Sequence, residues 1–211
     1  TFILYFCGMK FGLYLIYGLT WALSRLPMRV LYALSDCLFP LIYHIARYRR
    51  KLVRRQLQEC FPQRPAQWHR QVERKFYHFF CDYIVETLKL MHMGSREIER
   101  RVTWDGLEEL QAEMRTRGKK FAVAYLGHYG NWEWVASFSS HLAPDFGGAQ
   151  IYHPLKNKRV DRFFLKLRRQ FGGDCIAMKE ALRHIILMGR GEKHEIIGFI
   201  ADQCPKWEAM H

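Results

Sequence analysis

Apolar and polar residues alternate in blocks along the second half of the chain. Short apolar runs typical of buried strands occupy residues 120–126, 148–152, 174–178 and 195–201. Apolar residues recur at helical spacing over residues 131–142, 158–171 and 179–190. Because strands that alternate with helices form parallel sheets, the pattern predicts a mostly parallel α/β sheet flanked by helices.

The region between residues 48 and 117 has a helical pattern instead. A basic helix is predicted over residues 48–59 and a long, aromatic-rich helix over residues 67–91. Residues 96–117 predict one or two polar helices around Val102-Thr103-Trp104, which we interpret as a short strand.

The N-terminal region is predicted to be a membrane element. Phe2 to Ser24 is almost entirely apolar and is long enough to cross a bilayer. A second apolar stretch, Val30 to Ala46, fits a re-entrant or interfacial helix, or a helix packed on the globular part. A buried helical hairpin of a soluble protein is the alternative. The predicted division is therefore membrane-anchor helices at 1–46, a basic and aromatic helical region at 47–118, and an α/β core at 119–211.

The positive charge is concentrated next to this apolar region. The net charge is +13, and the segment RYRRKLVRR at residues 47–55 carries six basic side chains. Its position after an apolar region favours the anionic cytoplasmic surface of a membrane over nucleic acid as its partner. The six cysteines include no Cys-x2-Cys pair and no zinc-like cluster, which predicts reduced thiols and no bound metal.

The candidate chemistry lies where the first predicted strand ends. His128 follows the apolar run, the glycines at 127 and 130 allow a tight turn, and Asn131 is placed to cap the next helix. Glu133 stands five positions after the histidine. An imidazole can take a proton from a hydroxyl while a carboxylate on its other nitrogen fixes the tautomer, so His128 and Glu133 are predicted as base and partner.

The same spacing occurs a second time, at His92 and Glu97, without a preceding strand. We interpret those two as surface residues with no catalytic role. Asp202 ends the last predicted strand and should share an edge of the parallel sheet with His128. We expect it to position a substrate group, to support an arginine, or only to cap the strand. Lys156 lies in a basic loop after another strand, and an anion-binding role is expected there.

Three motifs resemble a known family. GHYGNWEW at 127–134, IYHPLKNKRVDRFFLKLRRQFGG at 151–173 and GFIADQCPKW at 198–207 occur in order and at suitable distances. Together they look like the bacterial lipid A biosynthesis (late) acyltransferases of the lysophospholipid acyltransferase superfamily. The first motif matches the His-x4-Asp/Glu signature of that superfamily. The overall sequence pattern looks most like that of members from Bacteroidetes-type bacteria.

The resemblance implies transfer of an acyl group from acyl-carrier protein, or from acyl-CoA, to a hydroxyl of a lipid A precursor or related glycolipid. His128 would be the general base and Glu133 its partner, and a direct transfer needs no cofactor, metal or protein nucleophile. Substrate-binding roles are implied for Arg168, Asp202, Asn131 and Lys156. Membrane lipids, the carrier protein and the lipid acceptor would be the partners, at the cytoplasmic face of the bacterial inner membrane.

The chain departs from the family pattern in two places. His153 stands where many members have arginine in Tyr-Arg-Pro, so an acceptor or phosphate contact is expected to differ. The sequence also stops at His211, whereas members continue through further strands, so we interpret it as a fragment that lacks part of the acceptor pocket. The alternatives are the same chemistry on a lysophospholipid or aminolipid, a hydrolase that activates water, and a non-enzymatic membrane scaffold.

Overall fold

The computed structural model describes residues 18–202. Most of the first apolar stretch of the predicted anchor, Phe2 to Ser24, therefore lies outside the described residues. Within residues 18–202, no helix is long and apolar enough to cross a membrane. The contacts divide the chain into two compact units, Thr1–His92 and Met93–His211. The division into three segments stays a prediction.

The first unit is helical. Residues 18–23 are helical, and they precede α1 (Met28–Pro40), a π-helical turn (Leu41–Ala46), α2 (Arg50–Cys60), α3 (Ala66–Lys89) and a 3₁₀ turn (Leu90–His92). The buried faces of α1 and of the π-helical turn pack against α3 through a hydrophobic cluster of Phe39, Tyr43, Tyr77 and Cys81.

Glu73 lies buried at the centre of this unit. Arg50 and Arg54 each donate to one of its carboxylate oxygens, at 2.8 and 2.7 Å. Burial opposes ionisation of the carboxyl, but the two guanidinium hydrogen bonds outweigh it, so the pKa of Glu73 is lowered. Ionised Glu73 thus connects α2 to α3. His92 contacts the hydroxyl of Ser24 and is half-buried, so the interpretation of this histidine as a surface residue was wrong.

The second unit contains the predicted α/β sheet. Its helices are α4 (Ser95–Glu99), α5 (Leu107–Thr116), a 3₁₀ helix (Trp132–His141), α6 (Lys158–Arg169), a 3₁₀ turn (Met178–Glu180) and α7 (Ala181–Met188). Its strands are β1 (Phe121–Leu126), β2 (Phe146–Tyr152), β3 (Asp174–Ala177) and β4 (His194–Ile200). All paired strands are parallel, in the order β1-β4-β2-β3, which confirms the predicted parallel α/β sheet flanked by helices.

One face of the sheet is covered by α5 and the 3₁₀ helix. The core there is formed by Met114, Phe138, Phe146 and Ile196, with Trp104 packed against it. The predicted strand at residues 102–104 was wrong: these residues pair with no strand, because Trp104 instead places its ring against Phe138. The segment predicted as a helix over 131–142 is helical but of the 3₁₀ type.

Candidate active site

The parallel pairing of β1 and β4 brings two predicted residues together. Leu126 is in register with Ile200, so the chain leaves both strands at the same edge of the sheet. His128 and Asp202 each follow two residues later. The shared edge predicted for these two residues is therefore confirmed.

Both oxygens of the Asp202 carboxylate accept hydrogen bonds from His128. The backbone N–H donates to Oδ2 at 2.8 Å, and ring Nδ1 lies 2.7 Å from Oδ1. The carboxylate also lies beside Gly127, where a Cβ would be 3.4 Å from Oδ2, in ordinary van der Waals contact. The loop after β1 is thus shaped to receive the side chain that follows β4.

The charge of Asp202 determines which nitrogen of the His128 ring carries the hydrogen. The backbone N–H of His128 and then its side chain lower the pKa of Asp202, so this carboxyl is ionised and accepts. Nδ1 must therefore carry the hydrogen, and Nε2 of the neutral ring keeps its lone pair. With the side chain 32% exposed, His128 has the orientation and the accessibility that a general base requires.

An apolar cavity lies beside this histidine. The ring of Trp132 meets the ring of His128 edge-on, with centroids 5.1 Å apart, and Trp132 also lines the cavity. The cavity measures about 200 Å³ and lies between the sheet and the helices that cover it. Most of its lining is hydrophobic, with contributions that include Leu107, Leu110, Leu126, Val135, Phe138 and Ile196. Such a cavity suits a hydrocarbon chain.

Glu133 has a different partner from the one predicted. Its buried carboxylate accepts from Nε and Nη2 of Arg168, at 2.8 and 2.7 Å, while the carboxylate on the His128 ring is that of Asp202. The side chain of Glu133 is 3% exposed and that of Arg168 is 22% exposed. This bidentate pair connects the 3₁₀ helix to α6. A catalytic role for Glu133 and a substrate-binding role for Arg168 stay predictions.

The remaining predicted residues lie around the same edge. The side chain of Asn131 caps the 3₁₀ helix by accepting from the backbone N–H of Glu133 at 3.3 Å. Lys156 and His153 are exposed in the loop between β2 and α6. Their binding roles stay predictions.

Two features of the site were not predicted from the sequence. The Asp202 carboxylate faces the imidazole, a contact between residues 74 positions apart that local spacing cannot reveal. Trp132 joins the histidine to the cavity, and its place inside the first motif was the available signal.

Fold and site together place a histidine that is oriented by a carboxylate at the edge of a parallel sheet, beside an apolar cavity. The comparison of sequences gives the family. A model of the bacterial lipid A biosynthesis acyltransferase family matches residues 7–206. The chain belongs to this family and is an acyltransferase. No curated protein matches the chain significantly.

Proposed function

We propose that the protein transfers a fatty acyl chain from an acyl thioester, that of acyl-carrier protein, to a hydroxyl of a lipid A precursor. The observation that carries this proposal is the oriented ring of His128 beside an apolar cavity. We place the reaction at the cytoplasmic face of the bacterial inner membrane, where the carrier protein and the lipid acceptor meet.

His128 acts as the general base. Nε2 takes the proton of the acceptor hydroxyl while the hydroxyl oxygen attacks the thioester carbonyl, which gives a tetrahedral intermediate. The C–S bond then breaks, and the leaving thiolate receives the proton from the imidazolium. Asp202 stabilises that imidazolium and keeps Nε2 directed towards the substrate, since both its oxygens are engaged by His128.

The cavity would receive the acyl chain. Each buried methylene contributes about 0.8 kcal/mol, so even part of a fatty chain gives useful binding free energy. Trp132 would separate the hydrocarbon from the reacting carbonyl, because it contacts both the cavity and the His128 ring.

Glu133 and Arg168 position the catalytic segment in this proposal. Their ion pair fixes the start of the 3₁₀ helix, and His128 lies in the loop directly before that helix. Glu133 therefore serves the reaction by holding the backbone, whereas Asp202 contacts the base.

The carrier protein would dock on basic residues at the same edge. The N-terminus of α6 follows the carboxyl end of β2, so Lys156 and the exposed side chains of α6 flank the site. The exposed basic residues of this helix are Lys158, Arg159, Arg162, Lys166 and Arg169. Opposite charges favour association with an acidic carrier protein.

The site geometry favours an enzyme over a scaffold. A scaffold would leave His128 packed among apolar side chains, but its ring is partly exposed and hydrogen-bonded to a carboxylate. A lysophospholipid or an aminolipid as the acceptor is the second candidate, because the same base and cavity would serve it.

The decisive experiment follows a radiolabelled acyl group from acyl-carrier protein, with the protein in membranes and with lipid A precursor or lysophospholipid offered separately. His128→Ala should abolish transfer, and Asp202→Asn should lower kcat on the order of 10²–10⁴-fold, the usual value of a positioned base. His184→Ala is the matched control, because His184 lies on α7 and its Nε2 is 3.7 Å from the carboxylate of Glu180 in the preceding 3₁₀ turn.

Each result has a definite meaning. Transfer to the glycolipid that His128→Ala abolishes supports the proposal, and label in phospholipid alone changes the acceptor. Turnover retained by His128→Ala would refute the mechanism.

A further inference from the structure

The cavity beside His128 extends along the sheet, away from the edge that carries the histidine. Ile200 and Ile196 both line it and lie four residues apart on β4, so the cavity reaches about 13 Å along this strand. Leu126 is in register with Ile200 and lines the end near His128. Ile196 lines the opposite end, which we call the far end of the cavity.

Trp104 lies at the far end. Its ring contacts the ring of Phe138, with centroids 5.9 Å apart, and both residues line the cavity. Phe138 lies against Gly148, where an added Cβ would be 2.8 Å from the phenyl ring. Because Gly148 is in register with Ile196, Trp104 is at the end of the cavity that is remote from Trp132 and His128.

The indole N–H of Trp104 is a buried donor without an acceptor. Its nitrogen is inaccessible to solvent, and no acceptor in residues 18–202 forms a hydrogen bond with it. Buried polar groups are paired in almost all native proteins, because an unpaired donor carries its full desolvation penalty. A plain hydrocarbon chain in the cavity would leave this penalty in place, whereas a ligand with an acceptor at the far end would remove it.

A carboxylate lies next to this donor in the sequence. Asp105 also lines the cavity and is exposed, so the far end reaches solvent beside an acidic side chain. A hydroxyl both donates and accepts, and is therefore complementary to an indole N–H together with a carboxylate. No lysine, arginine or histidine is among the described residues that line the cavity, so an anionic group would have no cation there.

We infer that the far end of the cavity recognises a hydroxyl group near the methyl end of the acyl chain. The hydroxyl oxygen accepts from Nε1 of Trp104, and its hydrogen is donated to the carboxylate of Asp105. The inference rests on the proposed function, because it takes the cavity as the site of the acyl chain. It names the class of donor as a hydroxylated fatty acyl thioester.

The test compares the binding of two free acids that differ by one hydroxyl, lauric acid and ω-hydroxylauric acid. Isothermal titration calorimetry is performed on the full chain in a nonionic detergent. Trp104→Phe keeps an aromatic ring and removes the N–H. It should weaken the binding of ω-hydroxylauric acid on the order of 10-fold, the usual effect of one unpaired polar group, and leave that of lauric acid unchanged. Comparison of variants with the same acid cancels partition into the detergent.

Asp105→Ala provides a second variant, whose folding should be unaffected because the residue is exposed. It should also weaken the binding of ω-hydroxylauric acid alone. Trp68→Phe, in the helical unit, is the matched control and should change neither affinity. β-Hydroxylauric acid carries its hydroxyl beside the carboxyl end, so its affinity should not respond to either variant of the far end.

The outcomes separate this inference from the proposed function. Parent protein that binds lauric acid, with no selective loss of ω-hydroxylauric acid in Trp104→Phe or Asp105→Ala, would overturn the inference and leave the acyl site intact. If Trp104→Phe loses its native circular dichroism, the result of Asp105→Ala decides. Parent protein that binds neither acid would overturn the inference together with the role of the cavity, while the chemistry of His128 is tested separately by the transfer assay.

Discussion

The pair of Glu133 and Arg168 gives the sharpest test of the site as the structure shows it. If the carboxylate of Glu133 served only His128, replacement of Arg168 would have little effect on folding. The structure instead has two charge-assisted hydrogen bonds between Glu133 and Arg168, at 2.8 and 2.7 Å, with the carboxylate almost fully buried. Arg168→Met would leave that carboxylate without its cation.

The expected cost follows from this burial. Removal of one partner of a buried ion pair costs about 3–5 kcal/mol, because the other charge stays desolvated. Arg168 is 22% exposed, so some water can reach the site, and we expect about 3 kcal/mol, the lower end of that range. Glu133→Met should cost a similar amount. The double variant E133M/R168M buries no charge and should recover most of the lost free energy of unfolding.

The assay is urea unfolding of the three variants, followed by circular dichroism, with free energies compared at unchanged denaturant slope. Arg169→Met is the matched control. Arg169 pairs with Asp174 at 2.9 Å, but both side chains are more than half exposed, so its loss should cost less than about 1 kcal/mol. The reasoning is refuted if Arg168→Met is no more destabilising than Arg169→Met, or if the double variant is as unstable as the sum of the two single variants.

Two further predictions concern packing and acid stability. Gly148→Ala should destabilise the second unit by about 1–3 kcal/mol in urea unfolding, because its Cβ would lie 2.8 Å from the buried ring of Phe138. Gly147→Ala should cost less, since the added atom meets only the movable end of a carboxylate side chain, and equal costs would contradict the packing argument. The guanidinium of Arg115 lowers the pKa of Asp145 from 3.8 to about 2. The stability from this pair should be complete above pH 3.8 and lost as the pH falls towards 2, so Asp145→Asn should be less stable than the parent near neutrality and equal to it below pH 2. Thermal unfolding across pH measures that difference, and a gap that persists in strong acid would be the contrary result.

The sequence was sufficient to predict the strands of the sheet. Residues 120–126 were predicted as a strand and 121–126 form one, because an apolar run between turn residues is typical of a strand. The expected burial of this strand was wrong, since Phe121, Val123 and Tyr125 are exposed. The same rule failed at 102–104. There Trp104 packs against Phe138 without belonging to a strand. A run of three residues is too short to distinguish a strand from a loop residue that packs into the core.

The site was harder to predict because its contacts are distant in sequence. The spacing of five residues suggested Glu133 as the partner of His128. In the structure the register of β1 and β4 instead brings Asp202 to the imidazole. Sequence reasoning did place Asp202 on the same edge, but which of two carboxylates faces a ring depends on side-chain direction. The pairing of Glu133 with Arg168 depends on how α6 packs against the 3₁₀ helix, and no local pattern encodes that packing.

The order of strands has a consequence for how the protein is made. β4 lies between β1 and β2, although it is the last of the four to be synthesised. During translation, about 70 residues are synthesised between β1 and its partner strand at residues 194–200. At the usual rate of synthesis, this takes several seconds. His128 gains its carboxylate only at the end of this interval. The contact between His128 and Asp202 therefore forms only when this strand inserts, and a nascent chain that stalls earlier would expose an unpaired apolar edge to chaperones and proteases.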